Sequence, residues 1–151
     1  SRWGGEWRAV TFFNRATQSE QIALIKGHVT PDHPTLVRMH QVSVFTDIFG
    51  EQGPRSSLLA RAMEMITEAG AGVVVVINRP SEDRFSRQMK IRTGEASPAG
   101  MDELRDYGVG AQILAELGVH DMILLTNSHH NLIALDGYDL AVVEERAITG
   151  I

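Results

Sequence analysis

With 151 residues, 43% of them apolar and only 6% aromatic, the chain is long enough for one domain with a real, mainly aliphatic core. A net charge of −5 argues against a nucleic-acid binder that works by bulk electrostatics, while leaving room for a local basic pocket. The absence of cysteine excludes a disulfide framework, a thiolate zinc site and a thiol nucleophile, and the longest apolar run, Val73–Ile77, is far too short to cross a bilayer. No signal-peptide pattern opens the chain, so a cytoplasmic protein is expected. The start at Ser1, without methionine, suggests a domain excised from something longer.

Glu6–Asn14 alternates loosely around Trp7, Ala9, Thr11 and Phe13 and predicts a strand; Gln21–Lys26 predicts a second. Pro31-Asp-His-Pro34 marks a turn before a third strand at Thr35–His40, which Gln41–Phe45 is expected to carry onward. Phe49–Arg55 reads as loop. Ser56 or Ser57 is then placed to cap a helix whose buried stripe would be Leu58, Leu59, Ala62, Met65, Ile66 and Ala69, with Gly70 closing it. Gly72–Asn78 lacks alternation, as expected of a strand buried on both faces.

Arg79–Gly100 reads as the least structured stretch, a solvated loop carrying Arg79, Arg84, Arg87, Lys90 and Arg92 against Glu82 and Asp83; a phosphate-contacting or partner-contacting loop is the sharper alternative. Ser97-Pro98 fits an early helical turn. Leu104, Tyr107, Ala111, Leu114 and Leu117 form a second helical stripe, stopped by Gly118. Met122–Thr126 predicts a strand, Asn127–Asn131 a polar loop, Leu132–Leu135 a short irregular piece and Leu140–Val143 a last strand. Strands and helices alternate through the second half without repeat or linker, which predicts one α/β layered domain over 1–151, a mixed sheet covered by helices.

Several segments then fall in a telling order: Trp3-Gly4 to Phe12, Leu36-Val-Arg-Met-His40, Thr46-Asp-Ile-Phe-Gly50, Arg105-Asp-Tyr-Gly-Val-Gly-Ala-Gln-Ile-Leu114, Leu124-Leu-Thr-Asn127, Leu135-Asp-Gly-Tyr138 and Val143-Glu-Glu-Arg146. Together, over nearly the whole length, they resemble GTP cyclohydrolase II, the enzyme that opens the purine ring of GTP in riboflavin synthesis. The resemblance implies that family's fold, a homodimer, and a place after a 3,4-dihydroxy-2-butanone 4-phosphate synthase domain in the same polypeptide. It also implies GTP or a related nucleotide as ligand, at Arg38, His40 and Thr126. Arg105 matches the family's proposed arginine nucleophile, and Glu103 stands where the family has its aspartate proton acceptor.

The chemistry implied by the resemblance needs a zinc ion held by three cysteines, which lowers the pKa of a bound water. Aligned on Arg38-His40 and Asp47-Phe49-Gly50, those positions fall on Ser43, Pro54 and Ser56. Proline has no ligand atom, and a serine hydroxyl is a poor zinc donor beside a thiolate. Other matches are thinned too. The family's glutamate falls on Val42, its glutamine on Leu59, its phosphate-binding Glu-Gly-Arg near Pro80-Ser81-Glu82, and its lysine on Asn131; the helix carrying its tyrosine is expected to be missing.

No cofactor is therefore expected, and zinc is expected to be absent. Residues two apart cannot share a helix face, so Glu103 and Arg105 are treated as positional matches only, with Arg105 an ordinary helix-start arginine paired with Glu103 or Asp102. Arg38 could equally be an internal ion-pair partner. The six histidines offer no metal spacing on a helix, and a His40–His129 pair has nothing specific behind it. The expected function is a degenerate cyclohydrolase II-like domain, unable to open the ring, with a structural or regulatory role beside the synthase. The alternatives are a nucleotide-binding domain or residual GTP-hydrolysing enzyme using Arg105 and Thr126, and a purely structural interaction domain. No nucleic acid and no membrane are expected as partners.

Overall fold

In the computed structural model the unalternating valine run lies inside the sheet with both faces covered. The structure describes residues 1–79, 81–97, 106–128, 135 and 137–151, together with the helical backbone of 100–105. Six strands, β1 (Arg8–Asn14), β2 (Ser19–Lys26), β3 (Thr35–Gln41), β4 (Gly72–Ile77), β5 (Asp121–Leu125) and β6 (Ala141–Arg146), form one sheet in the order β1-β2-β4-β3-β5-β6. β2 pairs antiparallel with both β1 and β4, whereas β4, β3, β5 and β6 run parallel.

Three helices complete the fold: α1 (Leu58–Ala69), α2 (Arg84–Arg92) and α3 (Gly100–Glu116). One core lies between α1 and one sheet face, where Leu58, Ala62, Met63 and Ile66 meet Leu36, Val74 and Leu125. The other lies under α3, where Ala111, Ile113 and Leu114 meet Val37, Val73, Val75, Ile77, Met122 and Leu124. Successive β4 residues thus feed opposite cores, which is why the strand reads as continuously apolar. Each fully buried aliphatic side chain contributes roughly 1.5–3 kcal/mol of transfer free energy.

Two glycines have a definite task. Gly70, at φ 89°, ends α1 by donating its N–H to the Ile66 and Thr67 carbonyls. Gly110 lets α3 approach β3, since a Cβ there would lie 3.0 Å from Met39 Sδ.

The α/β architecture, the strand at β4 and the stops at Gly70 and Gly118 match the reading of the sequence. Five local expectations are corrected. β3 ends at Gln41, and a single π-helical turn, Val44–Ile48, replaces the expected continuation. Its cause is local: Ser43 Oγ accepts from the Thr46 N–H while the Asp47 carboxylate accepts from the Ser43 N–H at 2.8 Å, folding the chain back on itself. Neither serine caps α1. Ser57 sits in the left-handed region at φ 62° without a side-chain cap, and Ser56 Oγ donates to the Gly53 carbonyl.

Within α1, Met63 takes a buried place outside the expected stripe, and Ala69 is exposed. Arg79–Gly100 is no continuous loop, because Arg84–Arg92 is helical. A helix therefore does stand where one seemed missing, although it carries no tyrosine. β6 runs on to Arg146, with a bulge opposite Met122 and Ile123 that leaves Val143 exposed. Pro98, Leu132 and His129 lie outside the described residues, as do the side chains of Leu104, Arg105 and Glu103.

Candidate functional site

The topology dictates where a crevice must open. From β3 the chain passes through α1, on one face, to β4; from β4 it passes through α2 and then α3, which lies on the other face, across β3 to β5. The segments leaving the carboxyl ends of β3 and β4 therefore diverge, and ligands of open α/β sheets bind at such a switch point. Gln41 and Ile77, the last residues of those two strands, line both cavities found at this end of the sheet.

Beneath the crevice is a buried polar chain. Arg38 and His40 are two apart on β3 and so share a face; they are 7% and 1% exposed. Arginine has only donors, so Arg38 Nη2 donates to His40 Nδ1 at 3.3 Å. The His40 proton is thereby fixed on Nε2, which donates to Asp47 Oδ2 at 2.9 Å. Arg38 Nη1 donates to the Leu125 carbonyl at 3.2 Å, tying β3 to β5. Arg38 Nε is buried with no hydrogen-bond partner among the described residues.

Both titratable ends of this chain are shifted downward, which disfavours the charge on Arg38 and favours that on Asp47. Burial, reinforced by the nearby Arg55 and opposed in part by Tyr107 and Asp47, lowers Arg38 to about 10, so it remains a cation at neutral pH. Burial alone would raise the Asp47 carboxyl, but the bonds from His40 and the Ser43 N–H, with Arg55 close by, hold it below its ordinary value. Both imidazole nitrogens are committed, so His40 as placed cannot ligate an ion without breaking this chain.

Two lobes stand above it, sharing Gln41, Arg55 and Ile77. The smaller, about 240 Å³, is bounded by Arg38, Pro54, Asp106, Tyr107 and Thr126. Thr126 Oγ1 donates to the Ser128 carbonyl at 3.0 Å and accepts from the Ser128 N–H at 3.2 Å, closing the turn after β5. The larger, about 460 Å³, gathers Arg55, Arg79, Arg84, Arg87 and Arg92 around Ser43, Ser81 and Gln88. A third hollow of about 850 Å³, at the opposite end of the sheet near Trp7 and Leu117, sets Glu6 against Arg8 and has no comparable gathering of charge.

Of the residues singled out from the sequence, Arg38 and Thr126 meet in the smaller lobe, while His40 lies behind it in the buried chain. Ser43 lines the larger lobe, Pro54 the smaller, and Ser56 neither. Arg105 and Glu103 belong to the first turns of α3, and their side chains are outside the described residues. The sequence reading missed Asp47, Arg55, Asp106 and Tyr107 as site residues. The signal for Asp47 was its spacing from His40 and Ser43; nothing local marks Arg55.

A family model described as GTP cyclohydrolase II matches residues 1–147. The chain belongs to the GTP cyclohydrolase II family. Similar curated proteins include the riboflavin biosynthesis protein RibBA of Bacillus cytotoxicus, 35% identical over 93% of this chain and 38% of the relative. The RibBA proteins of Aquifex aeolicus and Bacillus cereus are 35% and 34% identical with the same coverage. The chain thus spans about 38% of the length of these relatives.

For a cyclohydrolase II family member, the fit of a zinc ion to these residues can be tested directly. The chain holds no cysteine, and no group of three or more His, Cys, Asp or Glu suited to a metal occurs among the described residues. Ser43 Oγ is engaged with the Thr46 N–H and with Gln88 Oε1 at 3.3 Å, Pro54 has no donor atom, and Ser56 is turned to Gly53. The residues present at the three aligned positions do not fit zinc.

Proposed function

We propose that this is a cyclohydrolase II-type domain of riboflavin biosynthesis that has kept the scaffold and lost purine ring opening. The single observation that carries this reading is the donor set: two hydroxyls already in use and an imino acid stand where three thiolates are implied. Without a metal to acidify it, water is a poor nucleophile at neutral pH, and no described side chain near the crevice replaces that function. The reading further assigns the domain a structural or regulatory role, as a homodimer, beside a 3,4-dihydroxy-2-butanone 4-phosphate synthase domain. Support for such a neighbour is the printed name of the relatives and the 38% of their length that the chain spans.

The test is zinc content together with formate release from GTP. Neither bound zinc nor formate is expected; stoichiometric zinc with turnover would falsify the reading. For the companion role, deletion of the domain should change the oligomeric state of the whole protein, and an unchanged state would remove that part.

A second reading, a domain that binds a nucleotide without opening it, is favoured by one placement. Arg38 and Thr126 share the smaller lobe with Tyr107, so a cation, a buried hydroxyl and an aromatic ring bound one hollow. Loss of GTP binding in Thr126→Val, measured by calorimetry, is its expected consequence.

A further inference from the structure

The sheet ends in two strands that are finished differently. β6, at one edge, is interrupted by Glu144, Glu145 and Arg146 in succession and by the bulge opposite Met122 and Ile123. Charges and bulges are what keep an edge from recruiting another strand. β1, at the other edge, has neither along its centre. Its middle, Ala9-Val-Thr-Phe-Phe13, holds no charge, no proline and no glycine, and its register against β2 is continuous from Arg8 opposite Ile25 to Asn14 opposite Ser19. Valine, threonine and phenylalanine are strand formers. The outer main chain of β1 has no described strand to pair with.

Both faces of β1 carry the mark of an unfinished sheet. Val10 and Phe12 pack against the core beneath α3 but are only half-buried. On the other face Ala9, Thr11 and Phe13 are exposed, Phe13 to 58%. Facing residues of an antiparallel pair point to the same side of the sheet, so β1 can meet a two-fold copy of itself only with odd residues opposite odd and even opposite even. Over its 7 residues the one full-length arrangement has Thr11 on the axis. Thr11 then faces Thr11, Val10 faces Phe12, Ala9 faces Phe13 and Arg8 faces Asn14. Threonine pairs and aromatic–β-branched pairs are among the favourable cross-strand combinations. The large Phe13 ring meets the small Ala9, no like charges are opposed, and Val10 and Phe12 from both sides close the open end of each core.

We infer that β1 is an interface between two copies of this chain, joined antiparallel about a two-fold axis at Thr11 so that the sheet of one copy continues into the other. This names the surface of the homodimer proposed above and rests on that reading. Symmetry favours a second copy as the occupant. The self-pairing of β1 consumes both free β1 edges and stops at two copies, whereas β1 on β6 of a next copy would run on as a fibre. β2 lies between β1 and β4, so the crevice at the ends of β3 and β4 stays outside the interface.

The test is sedimentation velocity on the chain across a concentration series up to about 100 μM, above the micromolar Kd at which specific interfaces begin. The variants are Thr11→Lys, Thr11→Glu and, as a control on the other edge, Val143→Lys, each checked for folding by circular dichroism. The parent should be a dimer, and Val143→Lys should match it. Thr11→Lys and Thr11→Glu, which set like charges against each other on the axis, should each dissociate at least about tenfold more readily. An equimolar mixture of those two should recover the dimer, because opposite charges then meet on the axis. The chain has no cysteine, so Thr11→Cys supplies a single thiol, through which a short bismaleimide should link two copies. That variant keeps the test decisive if a charged one fails to fold. A monomeric parent overturns both this interface and the homodimer. A dimer that is indifferent to Thr11→Lys, not restored on mixing, or lost equally in Val143→Lys overturns the interface and leaves the homodimer standing. Formate release would defeat the loss of ring opening and touch neither.

Discussion

The carboxyl end of β3 and the helix α2 face each other across one crevice and are built on opposite principles. At β3, ionisable groups are buried, and a continuous line of hydrogen bonds runs from the Leu125 carbonyl through Arg38 and His40 to Asp47 and the Ser43 N–H. At α2, Arg84 and Arg87 are half-buried, Lys90 and Arg92 are exposed, and Phe85 and Met89 are turned out to water. A buried charge is tolerated only when its partners are fixed, so the first region must be rigid. The second is joined to the rest by contacts that water competes for, so it can yield. The crevice thus has one fixed wall and one adjustable wall.

The strongest way to break this contrast is Arg38→Ala. It strips His40 Nδ1 and the Leu125 carbonyl of their donor and leaves Asp47 without its balancing charge, at an expected cost of about 3–5 kcal/mol in urea unfolding. Arg38→Met, which fills the space without charge, should lie within about 1 kcal/mol of the parent or above it. A cost for Arg38→Ala no larger than that of a surface substitution would remove the fixed wall.

Asp47→Asn comes next, at about 1–3 kcal/mol at neutral pH. It also carries a pH signature. The folded Asp47 carboxyl is held below its ordinary value of 3.8, so its contribution is fully present above that value and is lost as the pH falls beneath it. The parent should therefore lose stability below pH 3.8 more steeply than Asp47→Asn, as followed by thermal melts across that window.

Hydrogen exchange sharpens the contrast without mutation. Central amides of α1, whose buried stripe anchors one core, should exchange at least about tenfold more slowly than those of α2. The smallest effect expected is that of Phe85→Ser, within about 0.5 kcal/mol, because the ring buries little in this chain. A large loss there would mean that α2 packs more firmly than its exposure indicates.

How much of this was legible in the sequence varied with the range of the interactions. The helices α1 and α3 and the Gly70 and Gly118 stops were readable, because helical periodicity and chain reversal are local. The Gly72–Ile77 run was readable because burial on both faces leaves a compositional mark. α2 was not, since its arginines satisfy no apolar period and its helix is held through Val42, Ser43 and Glu51, which are remote in the chain. Val44 and Phe45, in the turn at Val44–Ile48, were misjudged as strand because their β preference was overridden by hydrogen bonds of Ser43 and Asp47.

The site divided in the same way. Ordered motifs singled out Arg38, His40 and Thr126, and the absence of cysteine was plain from residue types alone. That Asp47 is the far end of the His40 chain, and that Arg55 joins Arg84 and Arg87 around one cavity, depends on where β3 and β4 part company. Side-chain chemistry, the inventory of what could ligate, donate or stay dry, was written in the amino acids. Which charges would meet was decided only by the crossing of the chain at β3, because electrostatic partners act through space and carry no mark of their separation along the sequence.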